Sequence, residues 1–365
     1  MAKFSDTPAF KAFQGDEPKS VYLWDAYLNP VMDTKAAQQQ VDEVKKEWAQ
    51  GKTPSTKIPG NAVALMRAIG LPGKAFLPLV VGFGCNVPAI SATRILSDGR
   101  QRLLTALLVP FTSCTARLTV FVLLGTVFFG PWAGTVVFAM YVASILLVVG
   151  VGLLLRRTLW RTMGAEPLVI DLPPYQVPTV RLTATVAWTR LQGFLRTASG
   201  IIVLTVCAVW LLQSVPAHGN AAFGEVAVED SVYGVAAQAV TPVFAPAGFA
   251  QWQTTSALVV GFVAKEAVIS SWAQTYALDE PEEGGDPGSL GQRILADFTE
   301  SSGGHPIPAA LAFMVFLMAY TPCVATLAAQ WREIGGRWTL FGIALQLAVA
   351  WGLAVLVFQV GSLWW

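Results

Sequence analysis

Beyond Lys74 the chain alternates long apolar runs with short charged joints. Residues 75–93, 118–155, 197–224, 231–264, 301–331 and 338–365 contain no Asp, Glu, Lys or Arg. A spanning helix needs about 20 apolar residues, so continuous spans are expected at 103–129, 132–155, 197–215, 307–330 and 338–360. Two further apolar segments, 76–93 and 253–272, are interrupted by polar or helix-breaking residues. Between the second and third spans, Leu172-Pro173-Pro174 and Pro178 precede 180–196, a basic amphipathic stretch suited to the membrane surface. The first 60 residues differ: they hold eight Lys and eight Asp or Glu and form a separate polar arm. Within the arm, 33–48 is expected to be one helix capped by Asp33, and 51–60, with Pro54 and Pro59, a linker.

Composition agrees with this map. Of the 365 residues 54% are hydrophobic and only 13% charged, against roughly 25% charged in soluble chains; the fold class is an all-α polytopic membrane protein whose first partner is the lipid bilayer. A net charge of +1 provides no basic face for nucleic acid. Four cysteines without a CxxC pair form neither a zinc motif nor a disulfide framework. The start lacks the apolar stretch of a secretory signal, and a cytoplasmic amino terminus is expected.

An internal repeat organises the apolar runs. Leu79-Val80-Val81-Gly82-Phe83 recurs as Leu258-Val259-Val260-Gly261-Phe262, and Ile90-Ser91 as Ile269-Ser270, at the same offset. Thr112-Ser113-Cys114-Thr115-Ala116-Arg117-Leu118 is echoed by Thr321-Pro322-Cys323-Val324-Ala325-Thr326-Leu327. Paired interrupted helices in two repeats point to a transport site near the membrane midplane. If both interrupted segments are re-entrant, the halves are inverted, and nearly all Lys and Arg beyond the arm become cytoplasmic while the acidic stretch 279–300 lies outside. The organisation expected is therefore a polar arm (1–60), a first gate module (61–170), a linker with an amphipathic helix, one span and an external loop (171–251), and a second gate module (252–365).

The chemistry gathers at the interruptions. In Gly82-Phe83-Gly84-Cys85-Asn86-Val87-Pro88, Pro88 lacks the N–H that would bond the Gly84 carbonyl, so backbone acceptors are exposed. Cys85 offers sulfur and Asn86 an amide oxygen, a pair suited to a borderline-soft divalent cation. Cys114 follows Pro110 by four residues and Cys323 follows Pro322 directly, whereas Cys207 has no breaker nearby. Lys265-Glu266 occupies the second interruption, and Lys265 is the only lysine after Lys74. Ionised groups in an apolar segment need partners or a function. Glu266 is expected to bind a cation or carry a proton, with Lys265, Arg117 or both balancing its charge.

These motifs, with Leu172-Pro173-Pro174-Tyr175, Ala264-Lys265-Glu266 and Pro322-Cys323-Val324-Ala325-Thr326, resemble the membrane domain of FeoB-type ferrous iron transporters over residues 61–365. The resemblance implies passage of Fe(II) across a bacterial inner membrane. It makes Cys85, Asn86, Cys114, Cys323 and Glu266 the candidate metal path and Lys265 and Arg117 the gating charges. No permanently bound cofactor is implied. FeoB-type proteins normally begin with a GTP-binding domain. This sequence has no GxxxxGK[ST], Gly73-Lys74 being followed by Ala75, so it is not expected to be an enzyme. A separate GTPase or a small iron-uptake companion is the partner this suggests, and a homo-oligomer is compatible with it. Thr119 stands where the family usually has proline. Two other classes stay open, a nucleoside-type gate transporter and a transport-incompetent regulatory or scaffold subunit.

Overall fold

A computed structural model describes residues 71, 73–96, 98–158, 180–217, 226–278 and 288–364. The chain divides into two units, Met1–Phe76 with Thr162–Val177, and Leu77–Arg161 with Pro178–Trp365. Of the first, Leu71, the 3-10 turn Gly73–Ala75 and Phe76 are described; the arm helix expected at 33–48 lies outside the described residues.

In the second unit every described element is helical apart from one isolated bridge between Pro216 and Ser231. The helices are α1 Phe76–Gly84, whose first residue belongs to the other unit, α2 Asn86–Ala92, α3 Gly99–Leu108, α4 Thr115–Phe129, α5 Ala133–Thr158, α6 Val180–Ser214 and α7 Val232–Val240. They continue as α8 Trp252–Val263, α9 Ala267–Tyr276, α10 Gly288–Ser301, α11 Pro306–Ala319, α12 Val324–Ile334 and α13 Gly336–Gly361. Three helical runs among them are long and apolar enough to cross a membrane: Gly99–Thr158, which comprises α3 to α5, Pro306–Ile334 and Gly336–Gly361.

Two spans expected to be continuous are broken. The first, at 103–129, is interrupted by the 3-10 turn Val109–Phe111 and the extended residues before α4. The second, at 307–330, is interrupted between Tyr320 and Cys323. Pro110 and Pro322 lack the N–H that a through-going helix requires. Conversely, the amphipathic stretch at 180–196 and the span at 197–215 form one helix, α6, of 35 residues. At 1.5 Å per residue it is about 50 Å long, more than a hydrocarbon core of about 30 Å.

α11 is the axis of the unit. Eleven of its 14 residues are buried, and it packs against α13, α4, α5 and α10. A helix apolar on all sides belongs inside a bundle. Phe313 and Phe316 meet Phe249 at centroid distances of 5.4 and 5.9 Å, and Phe313 meets Phe298 of α10 at 5.7 Å. In lipid such close packing, more than exclusion of water, holds helices together.

The bundle has two chemically different ends. At one, Glu333 of α12 bonds Arg102 of α3 and, at 2.5 Å, Arg94 just beyond α2. At the other, Phe128 near the end of α4 stacks edge-on against Phe298 of α10 at 5.4 Å. There too Ser301 donates to the Gly248 carbonyl at 3.0 Å, and Gln359 of α13 to the Pro246 carbonyl at 3.0 Å. The segment α8–α9 begins just after Gly248 and ends at Tyr276, whose hydroxyl bonds Asp297 of α10. α8 and α9 pack along each other, and α9 also packs on α10. Residues 288–301 of the acidic stretch form an amphipathic helix with Leu290, Ile294 and Phe298 inward.

Candidate functional site

Each interruption is stabilised by groups from neighbouring elements, because a free backbone carbonyl or N–H is costly away from water. At the first, Cys85 is extended (φ −149°, ψ 131°) and caps α2. The Gly84 carbonyl accepts from the Thr115 hydroxyl at 3.0 Å. The Thr112 hydroxyl lies 2.7 Å from the Val109 carbonyl and 3.1 Å from Asn86 Oδ1. Gly82 is required here, since a Cβ on it would overlap the Thr112 hydroxyl.

The second interruption reproduces that geometry. Ala264, which holds the place of Cys85 in the repeat, has φ −146° and ψ 122°. A Cβ on Gly261, the counterpart of Gly82, would lie 2.9 Å from the Tyr320 hydroxyl and 2.5 Å from Val268. Lys265 thus falls where Asn86 stands in the first repeat, and Glu266 where Val87 stands.

The gate cysteines also share one geometry. Cys114 (φ −73°, ψ 162°) caps α4, and Cys323 (φ −60°, ψ 155°) caps α12. The N–H three residues on bonds each cysteine carbonyl, from Arg117 at 3.0 Å and from Thr326 at 2.9 Å. All three candidate cysteines therefore sit at helix N-termini, where negative charge is least costly. A coordinating cysteine must be a thiolate.

Cys85 is exposed, Cys323 half-buried and Cys114 buried; Cys207 lies exposed on α6, away from the breaks. Among the described residues no three His, Cys, Asp or Glu side chains converge as a ready-made metal shell.

The charged residues behave differently from the expected ion pairs. Arg117 is fully buried, and its guanidinium donates to the Thr112 carbonyl at 2.9 Å and the Pro110 carbonyl at 3.1 Å. It thereby satisfies acceptors released by the break before Cys114. Lys265 is 2% exposed and rests over the Tyr320 ring, Nζ 3.7 Å from the centroid. Glu266 is exposed beside the second break, and no ion pair joins it to either cation among the described residues. The two cations turn to backbone and ring, and the Glu266 carboxylate is exposed.

Two further groups support the breaks. Ser144 of α5 donates to the Phe111 carbonyl at 2.9 Å and accepts from Ser113 N at 3.0 Å, bridging the first gate break. Tyr320 supplies the seat of Lys265. A lone serine in an apolar run gave no signal for the first; its position before Pro322-Cys323 was the only cue to the second.

The family described as "Gate: Nucleoside recognition" matches residues 62–128 and 195–337, and that described as "Ferrous iron transport protein B C terminus" matches residues 137–190. The Fe(2+) transporter FeoB of Methanocaldococcus jannaschii is 36% identical over 313 residues, which is 84% of this chain and 44% of that protein. An Fe(2+) transport protein A/Fe(2+) transporter FeoB fusion protein of Porphyromonas gingivalis is 35% identical over 82% of this chain and 39% of its own length. The FeoB of Staphylococcus aureus is 36% identical over 82% and 42% respectively. The chain thus spans less than half the length of these relatives. No solved structure matches it significantly. With gate motifs at both breaks and a match covering more than half its residues, the chain belongs to the Gate family and, within it, to the C-terminal membrane part of the FeoB family.

Proposed function

We propose that this chain passes ferrous iron across a membrane, between two gate modules related by inversion. The observation that carries the reading is the placement of Cys85, Cys114 and Cys323, each at a helix N-terminus beside a backbone break. Sulfur ligands with an amide and a carboxylate favour a first-row transition ion over magnesium or calcium. Cys85, Asn86, Cys114, Cys323 and Glu266 form the path, and Lys265 and Arg117 set its charge.

The basic end, with Arg94, Arg100, Arg102, Arg332 and Arg337, faces the cytoplasm under the positive-inside rule. The FeoB names of the relatives support iron as the cargo. A nucleotide-hydrolysing component, supplied separately or by sequence beyond that described, is the energy source this reading calls for.

Thiol labelling in membranes tests it. Fe(II) is expected to protect Cys85, Cys114 and Cys323 and to leave Cys207 reactive. Equal protection at Cys207, or protection by a nucleoside in place of Fe(II), overturns the reading and in the second case favours a nucleoside site.

A further inference from the structure

Pro110 leaves one carbonyl of α3 without its helical donor. In an α-helix the Ala106 carbonyl accepts from the N–H four residues on, and Pro110 has none to give. Ala106 is fully buried, where an unpaired carbonyl is costly. Gln330 of α12 supplies the missing donor: its Nε2 lies 2.8 Å from the Ala106 carbonyl, across 224 positions of sequence. Gln330 is fully buried as well, and its Oε1 has no partner among the described residues, so the bond to Ala106 alone orients the amide.

One turn farther along α12, Glu333 bonds Arg102, which stands one turn before Ala106 in α3. The two bonds are rungs between helices that run in opposite directions. α12 also packs on α2, and Arg94 just beyond α2 meets the same Glu333. Cys323 stands ten residues before Glu333, and Cys85 nine before Arg94. At 1.5 Å per residue both caps lie about 14–15 Å from the shared ion pair. Beyond Ala106, α3 leads into the break that ends at Cys114. The rungs therefore anchor the ends of these elements that lie away from the cysteines.

Resting on the iron reading above, we infer that Gln330 is a positioning residue of the Fe(II) path: by donating to the Ala106 carbonyl in place of the N–H that Pro110 lacks, it fixes α12 against α3 and so sets Cys323 relative to the break that carries Cys114. Gln330 itself touches no ion. Its bond differs in kind from those of Glu333, because Arg94 is 67% exposed and can follow a moving carboxylate. A buried main-chain carbonyl cannot follow, so a shift of α12 by one residue leaves Ala106 unpaired. The proline of one repeat frees the carbonyl and the other repeat fills it, which links the break in the first to the register of the second.

The full chain in liposomes, treated with a membrane-permeant maleimide with and without Fe(II), tests this. Gln330→Met keeps the length of the side chain and removes the donor. Without iron it is expected to label buried Cys114 at least about fivefold faster than the parent, because an unmet buried carbonyl favours rearrangement, and to leave Cys207 at the parent rate. With iron, the Fe(II) concentration that half-protects Cys114 and Cys323 is expected to rise at least about fivefold for the same reason. Gln330→Asn holds the amide one methylene short and is expected to shift both readings in the same direction; it carries the test if Gln330→Met does not reach the membrane. Tyr276→Phe loses the bond to Asp297 at the opposite end of the bundle, controls for general loosening, and is expected to match the parent in both readings. A parent value of either reading in the Gln330 variants, or an equal shift in Tyr276→Phe, overturns the inference. The parent protein judges the iron reading separately: if Fe(II) protects none of Cys85, Cys114 and Cys323 there, that reading falls, and the iron-free labelling of Cys114 still decides whether Gln330 holds the break.

Discussion

Removing the carboxylate of Glu333 tests how α12 is joined to α3 and the end of α2 at the basic end. Glu333 lies at the end of α12, with its side chain 3% exposed. Its partners are Arg94, just beyond α2, and Arg102 of α3. Arg94 donates its Nε at 2.7 Å and is 67% exposed, whereas Arg102 is 32% exposed and has a buried Nε without a partner. The hydrogen bond and charge of Glu333 hold the Arg94 guanidinium above its ordinary pKa.

Losing one partner of a fully buried pair costs about 3–5 kcal/mol, whereas exposed pairs contribute about 0–1 kcal/mol. The geometry here lies between. Arg94 can turn into water when Glu333 is gone, but Arg102 keeps part of its charge against α12. Glu333→Gln is therefore expected to lower stability by about 1–3 kcal/mol, Arg102→Gln by a similar amount and Arg94→Gln by less than about 1 kcal/mol. Unfolding of the detergent-solubilised protein, read as a double-mutant cycle, measures this. The Glu333–Arg102 coupling is expected to exceed the Glu333–Arg94 coupling. A Glu333–Arg102 coupling near zero, or a larger coupling to Arg94, refutes the reasoning.

A cysteine placed at Ser289, exposed at the start of α10, is expected to react with an impermeant thiol reagent from outside the cell; reaction only after lysis would reverse the assignment of the two ends. Gly261→Ala is expected to cost about 1–3 kcal/mol, because its Cβ would press on Val268 and Tyr320. Gly352→Ala, with nothing within 4 Å, is expected to be neutral or slightly stabilising, and equal unfolding midpoints for the two would contradict the packing. Glu266→Gln is expected to slow Fe(II) flux at normal membrane abundance, since the exposed carboxylate holds no described ion pair; normal flux would remove Glu266 from the path.

The sequence revealed the breaks wherever they disturbed composition. Glycines and a proline marked 82–88, and two charges in an apolar run marked 264–266. The breaks before Cys114 and Cys323 were harder to see, because hydropathy counts side chains and a broken backbone there leaves the apolar count intact. Pro110 and Pro322 were the only local signs. The same blindness runs the other way in α6, where composition changes from amphipathic to apolar while the helical backbone continues. Arg117 looked like half of an ion pair because its acceptors, the carbonyls of Pro110 and Thr112, become available only once the break forms. The Glu333 cluster joins residues 231 and 239 positions apart. No local pattern encodes that, although the re-entrant topology expected from the sequence would put those positions at one end.

The two interruptions agree in backbone and differ in chemistry. Cys85 and Ala264 take nearly the same extended conformation, and Cys114 and Cys323 cap their helices alike. Around those common turns the substituents diverge. Where the first break carries the sulfur and amide of Cys85-Asn86, the second carries Ala264 and Lys265, with Glu266 one residue on. Arg117 has Thr326 as its counterpart, whose hydroxyl lies 3.2 Å from the Cys323 sulfur. A symmetric pair of sites would bind an ion equally in both halves and give it no preferred order of contacts. If the ion's ligands lie at the first break, as proposed, its binding there can favour one arrangement of the pair, because a bound ion shifts an equilibrium only through a difference in its interaction with the two states.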